Sequence, residues 1–186
     1  MSLSVKSYHH RNLRSALIDA GLRLLEGRSA DDLALREVAR EVGVSATSVY
    51  RHFPDKGALM AALANEGLAR LAKAQRAAAE VAGGGVAGFS ATGAAYVHFA
   101  LDNPALFRLI FANPSAHGIA GTDDDAMIFL RENAAALAGG SGGDAQVVAL
   151  RAWAIAHGLA MLMLDRQVPA DDALIDRVVD AAILDL

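Results

Sequence analysis

Residues 35–56 read LREVAREVGVSATSVYRHFPDK, and this stretch decides the fold of the first third of the chain. Apolar residues recur in it at helical spacing, which predicts a short amphipathic helix over Leu35–Val42, stopped by Gly43. A second short helix is expected to begin at Ser45, whose hydroxyl can cap it, and to end near His52. Two short helices joined by a tight turn indicate a helix-turn-helix.

The second of these helices presents a surface suited to a DNA groove. Short, polar or basic side chains on its outer side would let the helix approach base edges in the major groove. An ordinary helical hairpin with a solvated face would show the same spacing, so the spacing alone leaves both interpretations open. The outward residues are Ser45, Ala46, Thr47, Ser48, Arg51 and His52.

Two segments, Leu35–Ser45 and Val49–Lys56, closely resemble the signature of the TetR family of transcriptional repressors, without gaps. The resemblance covers about residues 8–62. It implies that Tyr50 and Lys56 contact DNA phosphates. The chemistry agrees, because a phenol supplies a donor and a lysine adds a cation where a helix N-terminus already favours anions.

The resemblance also assigns roles to neighbouring residues. Arg36 lies where the family often places a groove or phosphate contact, and His52 is expected to contact a phosphate or to support Tyr50. Ala34 departs from the pattern, since many members carry a capping Thr or Ser there that also binds phosphate. The expected base-reading surface comprises Ser45, Thr47, Ser48 and Arg51.

The composition predicts an all-α protein of about nine helices. Hydrophobic residues make up 54% of the chain, and much of that share is alanine, a strong helix former. We expect a helix-turn-helix head over residues 1–53 and a helical body over residues 54–186 that binds an effector and dimerises.

Several boundaries of the body follow from proline, glycine and acidic residues. Pro54 suits the first turn of a long helix that ends near Glu80. The glycine-rich segment 139–143 is expected to be the most flexible part of the chain, and the last helix is expected over residues 170–186.

Charge and cysteine content exclude several classes of protein. The net charge is −4, but residues 1–60 carry nine basic and seven acidic groups, whereas the remainder carries eight and fourteen. An anion such as DNA would therefore be attracted to the first part alone. The absence of cysteine excludes disulfides and thiolate catalysis.

The chain is expected to be cytoplasmic, without a membrane span. Its first residues are polar and basic rather than apolar, unlike a signal peptide. The most apolar segment, Ala149–Leu164, contains Arg151 and His157 and is judged too short to cross a bilayer.

The two C-terminal helices are predicted to form a homodimer interface. Their apolar arcs are broader than one packing face requires, which favours burial against a second copy over a wide monomer core. The resemblance points the same way, toward a four-helix interface. The expected contacts are Leu159, Leu162, Leu174, Ile175, Val178, Val179 and Ala182.

An effector site is predicted in the body, where aromatic and sulfur-containing residues cluster. Trp153, His157 and Met161 follow one another at four-residue spacing, and an apolar wall with a single polar contact is typical of a site for a small, largely apolar molecule. A packed core with a hydrogen-bonded histidine is the alternative. Trp153, His157 and Gly158 resemble the C-terminal domain of the TetR subgroup named for its Trp-His-Gly motif, as do Tyr96, Phe99-Ala100, Asn103-Pro104 and Leu106-Phe107-Arg108. The full candidate set is Tyr96, Phe99, Phe107, Phe111, Trp153, His157 and Met161.

The sequence therefore predicts a repressor that is released from a pseudo-palindromic, double-stranded DNA operator by an effector. A dimeric repressor without an effector is the alternative, and a helical enzyme is a remote one. No paired carboxylates, nucleophile-base set or phosphate loop with its lysine is found, and the spacing of the histidines fits no metal site. We expect neither a cofactor nor a metal.

Overall fold

The computed structural model describes residues 4–112, 125–141 and 144–180. Within these ranges the chain forms nine α-helices, one 3-10 turn (Ala30–Asp32) and no strand, which confirms the all-α prediction. The helices are α1 Ser4–Leu25, α2 Leu35–Val42, α3 Ala46–Tyr50, α4 Lys56–Val81, α5 Gly85–Asp102, α6 Pro104–Ala112, α7 Asp125–Ser141, α8 Ala145–Leu164 and α9 Asp172–Val178.

The head packs α1, α2 and α3 around a small apolar centre. Val38 and Val49 are fully buried, and Phe53 is 1% exposed. Gly43 ends α2 with a φ of 75°, a left-handed conformation that glycine adopts without a steric penalty. Ser45 then caps α3, because its hydroxyl oxygen accepts the Ser48 backbone N–H at 3.2 Å. The predicted helix-turn-helix is therefore present.

The body is built on α4 and α5, with α6 and α7 packed on α4 and with α7, α8 and α9 packed on α5. Its largest fully buried side chains include Leu63, Phe107, Ile110 and Ile175. One continuous apolar cluster extends from Leu17 in the head to these residues. Head and body therefore share a core, and α4 is the helix common to both.

Some boundaries differ from those that the sequence predicts. Helix α4 begins at Lys56 rather than at Pro54, because Asp55 caps it by accepting the Ala58 N–H at 2.8 Å. Helix α7 extends to Ser141, so part of the segment expected to be flexible is helical. Helix α9 ends at Val178, and the part of the last predicted helix over 181–186 lies outside the described residues.

Candidate functional site

The residues predicted to bind DNA lie together on α2, α3 and the start of α4. Tyr50 is 47% exposed, and Arg36, Thr47 and Arg51 are also exposed. None of these four side chains makes a hydrogen bond or ion pair to the described part of the chain. The outer side of α3 therefore offers one guanidinium and two hydroxyls to a partner. Ala46, Ser48, His52 and Lys56 are partly buried beside it.

Ser45 and Ser48 have roles within the head itself. The Ser45 hydroxyl caps α3, and the two hydroxyl oxygens lie 2.9 Å apart, within hydrogen-bond distance. Direct reading of bases by these serines would have to compete with this pair. Thr47 and Arg51 are therefore the stronger candidates on the predicted base-reading surface.

Lys56 is held beside the 3-10 turn. Its Nζ donates a hydrogen bond to the Asp31 carbonyl oxygen at 2.5 Å, which fixes the ammonium at the N-terminus of α4. An ammonium has three N–H donors, so two remain for a phosphate oxygen. This placement suits the predicted phosphate contact.

The missing cap at Ala34 is partly replaced by Glu37. Ala34 has no side-chain oxygen, but the Glu37 carboxylate accepts the Ala34 backbone N–H at 3.0 Å, which is half of a capping box. This hydrogen bond, assisted by Arg28, lowers the pKa of Glu37. Because the folded-state pKa is depressed, the stabilisation is present at neutral pH and is lost as the pH falls through that pKa. In the sequence, the glutamate three residues after Ala34 is the pattern that indicates this hydrogen bond.

Five of the predicted effector residues form one ring cluster in the body. The Phe111 ring lies 4.8 Å from that of Phe107 and 4.7 Å from that of His157. Tyr96 meets Phe107 edge-on at 5.4 Å, and Trp153 lies 6.1 Å from His157. The contacts join α5, α6 and α8.

A hydrogen-bonded chain orders this cluster. The Trp153 indole N–H donates to the Tyr96 oxygen at 3.2 Å, and that oxygen lies 2.8 Å from His157 Nδ1. The Tyr96 oxygen accepts the indole hydrogen, and its hydroxyl and His157 Nδ1 share the second hydrogen bond, whose donor depends on the tautomer of the imidazole. His157 is thus hydrogen-bonded at Nδ1, as the packed-core alternative expects.

A cavity of about 60 Å³ lies beside this cluster. Tyr96, Phe111 and Trp153 line it, whereas Phe99, Phe107, His157 and Met161 do not. Phe107 is fully buried and Phe99 is 9% exposed, so both belong to the packed core. The lining also includes residues that the sequence analysis missed, because no local pattern marks them: Leu68, Gln75, Phe89, Thr92, Val178 and Val179.

A second, larger space of about 390 Å³ forms a groove between α7 and α8. Trp153 borders both the small cavity and the groove. Leu130 and Met127 are shared in the same way. Rotation of these side chains would join the two volumes.

Helix α9 closes one side of the small cavity. A Cβ added at Gly93 would lie 3.0 Å from the Val179 Cβ, so α5 and the end of α9 are in tight contact there. Alanine is favoured over glycine inside a helix by about 1 kcal/mol, so we expect the overpacking in Gly93→Ala to be largely offset in folding free energy, with a net loss below about 2 kcal/mol, while α9 is loosened. Urea unfolding would measure the cost, and hydrogen exchange would show faster amide exchange in α9. Unchanged exchange would mean that the contact does not hold α9.

The predicted interface residues divide between core and surface. Ile175 is fully buried and Leu159 is 7% exposed, so both belong to the core of one chain rather than to a surface available to a partner. Leu162 and Val178 are 46% and 36% exposed. Leu174 and Val179 are partly buried, and Ala182 lies outside the described residues.

A mostly apolar stripe runs along the exposed side of α8. Within the most apolar stretch of α8, only about a third of the residues are buried inside the chain. The segment Ala149–Leu164 is part of α8, which begins at Ala145 and has 20 residues. The prediction that this segment is too short to span a membrane is therefore wrong. A single such helix is weak evidence for a membrane. The stripe comprises Val147, Leu150, Arg151, Ala154, Gly158, Met161 and Leu162.

The described residues contain no group of three or more His, Cys, Asp or Glu side chains placed to hold a metal ion. Within these ranges, the candidate sites are therefore the exposed face of the head, the body cavity and the α8 stripe.

Comparison with known proteins places both parts of the chain. Residues 17–63 match the family model described as bacterial regulatory proteins, tetR family, and residues 89–186 match that of the tetracyclin repressor-like C-terminal domain. An HTH-type transcriptional regulator from Haemophilus influenzae, itself uncharacterised, is 32% identical over 112 residues. The match covers 60% of this chain and only 55% of that relative.

Solved structures share the fold of the chain. A protein of unknown function from Rhodococcus sp. RHA1 is 35% identical, with a TM-score of 0.74 and 91% of each chain covered. A tetR-family transcriptional regulator from Streptomyces coelicolor shares the fold at 22% identity and a TM-score of 0.64, over 94% of this chain and 80% of that one. The subgroup named for Trp-His-Gly stays a prediction. From its head to its C-terminal domain, the chain belongs to the TetR family of transcriptional regulators.

Proposed function

We propose that this protein is a cytoplasmic, homodimeric repressor that binds a pseudo-palindromic DNA operator and is released from it by a small effector. The observation that carries the DNA-binding step is the outer face of α3, where Thr47, Tyr50 and Arg51 are exposed beside the ammonium of Lys56. Such a face combines one base-reading guanidinium with phosphate donors.

The exposed stripe on α8 supports the dimer. Leucine and valine side chains that are nearly half exposed lose their contact with water when a second copy covers them. Ala154 and Gly158 are small enough for two α8 helices to approach closely. Two heads held at fixed spacing are what a two-fold operator requires.

The cavity beside Tyr96, Phe111 and Trp153 supports the effector. Its volume of about 60 Å³ is well below the roughly 300 Å³ typical of small-molecule sites, so the body must open to admit a ligand. A body conformation stabilised by the ligand, with the heads wrongly spaced, would lower DNA affinity. We place the boundary between head and body at 53/54, with α4 as the connection.

A dimeric repressor without an effector is the second candidate. The same small cavity and the fully buried Phe107 favour it, since both indicate a well-filled body. The two candidates differ in whether any small molecule releases the operator. The relatives from Haemophilus influenzae and Streptomyces coelicolor are described as transcriptional regulators.

The DNA-binding step is tested with substitutions in the head and an operator selected from random-sequence DNA. Tyr50→Phe removes one donor and should weaken binding about fivefold on every sequence. Lys56→Ala should reduce the salt slope of log affinity by about one unit per bound head. Arg51→Ala should instead relax base preference at one position of each half-site.

Lys73→Ala is the matched control for Lys56→Ala, since Lys73 is exposed on α4 outside the head. Thermal unfolding of each variant separates lost affinity from lost stability. Operator affinity that survives both Tyr50→Phe and Lys56→Ala would rule out this mode of docking.

A further inference from the structure

Gln75 carries a buried oxygen without a partner. The residue lies on α4 and is 7% exposed, and its Oε1 forms no hydrogen bond. Its Nε2 donates to the Thr92 carbonyl oxygen at 3.3 Å, which fixes the direction of the amide. The reversed amide would place two carbonyl oxygens against each other, so the oxygen is the atom left without a donor.

An unpartnered buried carbonyl is costly. Burying an amide oxygen without a hydrogen bond destabilises a protein, whereas an apolar side chain of similar shape would avoid that penalty. Gln75 lines the same cavity as Trp153, Tyr96 and Phe111. An acceptor in an aromatic cavity is the arrangement expected where a ligand supplies the donor.

The remaining lining restricts the charge of such a ligand. None of the described lining residues is a lysine, arginine or histidine, so an anion would lose its hydration without gaining a cationic partner. Asp180 is the one carboxylate of the lining and is partly exposed, so a cation would not find a buried counter-ion. A neutral ligand avoids both penalties.

We propose that the effector is a neutral molecule with an apolar body and a hydrogen-bond donor, either a hydroxyl or an amide N–H, and that this donor binds Gln75 Oε1. The inference rests on the proposed release by an effector and specifies its chemistry. A cavity of about 150 Å³ holds a benzene ring, so the present 60 Å³ must expand about two and a half times.

Phenol and toluene are the probes, because they have nearly the same shape and differ in a hydroxyl against a methyl. Binding is followed by fluorescence of Trp153, which is the single tryptophan and lines the cavity. Each affinity is measured for the wild type and for Gln75→Met, which keeps a linear side chain and removes the oxygen. Comparing ratios cancels the different hydrophobicity of the two probes.

We expect the ratio of phenol to toluene affinity to fall about tenfold in Gln75→Met, the effect of one hydrogen bond. Gln167→Met is the control, because Gln167 is exposed after the end of α8, lines neither the cavity nor the groove, and should leave the ratio unchanged. Benzoate should bind the wild type at least tenfold more weakly than phenol. Gln75→Met should unfold close to the temperature of the wild type, because removal of the unpaired oxygen offsets the loss of the Nε2 hydrogen bond to Thr92.

An equal ratio in the wild type and Gln75→Met overturns the proposal, as does failure of the wild type to bind either probe. A marked loss of stability in Gln75→Met also overturns it, because the side chain would then be structural. Operator release by phenol is measured separately. If phenol bound selectively but did not release the operator, the proposed hydrogen bond to Gln75 would be supported. The proposed release of the repressor by an effector would then be refuted.

Discussion

The double variant Ala154→Glu with Leu162→Glu is expected to be a folded monomer that has lost operator binding. Both residues are exposed on α8 within one chain, so the glutamates disturb little of its own packing. In a dimer they would bury unpaired charges, each at a cost of several kcal/mol. Because two linked heads gain about 10²- to 10⁴-fold in avidity, operator affinity should fall by at least about 100-fold.

The chain offers a closely matched control. Ala77→Glu with Val81→Glu adds the same two charges to exposed positions of α4, where Val81 is 90% exposed. That variant should stay dimeric and bind the operator. Sedimentation gives the oligomeric state, and a DNA-binding titration gives the affinity. Should the α8 variant sediment as a dimer, the copies associate through another surface.

The second large effect is expected from Phe107→Ala. Phe107 is fully buried, edge-on to Tyr96, and stacked at 5.6 Å on the ring of His157. Removing its ring should cost about 3–5 kcal/mol of folding free energy and lower the Tm by roughly 6–20 °C. Phe107→Leu, which retains most of the volume, should lose clearly less.

Urea unfolding measures the free energy of unfolding of both variants. The dependence of this free energy on urea concentration is held at the wild-type value. If the free energy of unfolding fell by less than about 1 kcal/mol in Phe107→Ala, the ring cluster would be loosely packed. Phe107 would then be a residue that a ligand can displace. The comparison therefore also tests whether Phe107 belongs to the core or to the effector site.

The head was the part most fully predictable from sequence. Its helix boundaries depend on local signals, namely Gly43 after α2 and Ser45 before α3, and both residues have the expected roles. Asp55 shows the limit of such local signals. A proline and an aspartate follow one another just before α4, and either residue type can mark the start of a helix. The carboxylate caps the helix by accepting a backbone N–H.

The body could be predicted only in part, because its contacts join distant residues. The aromatic set was recognisable by residue type, but type cannot separate the cavity-lining Phe111 from the buried Phe107. The apolar arc of α9 suggested an interface, yet Ile175 in that arc packs into its own chain. Gln75 carries no signal at all, since only the fold brings it against Thr92.

The length of helix α4 would enlarge a small movement of the body into a larger movement of the head. Its 26 residues give a rod about 39 Å long, which starts at Lys56 in the head and ends at Val81 beyond the body cavity. Tilting such a rod by about 5° around its far end moves the near end by about 3 Å, close to the ~3.4 Å rise of one base pair. A displacement no larger than a methyl group beside Gln75 would thus become a shift of one base-pair step at the DNA.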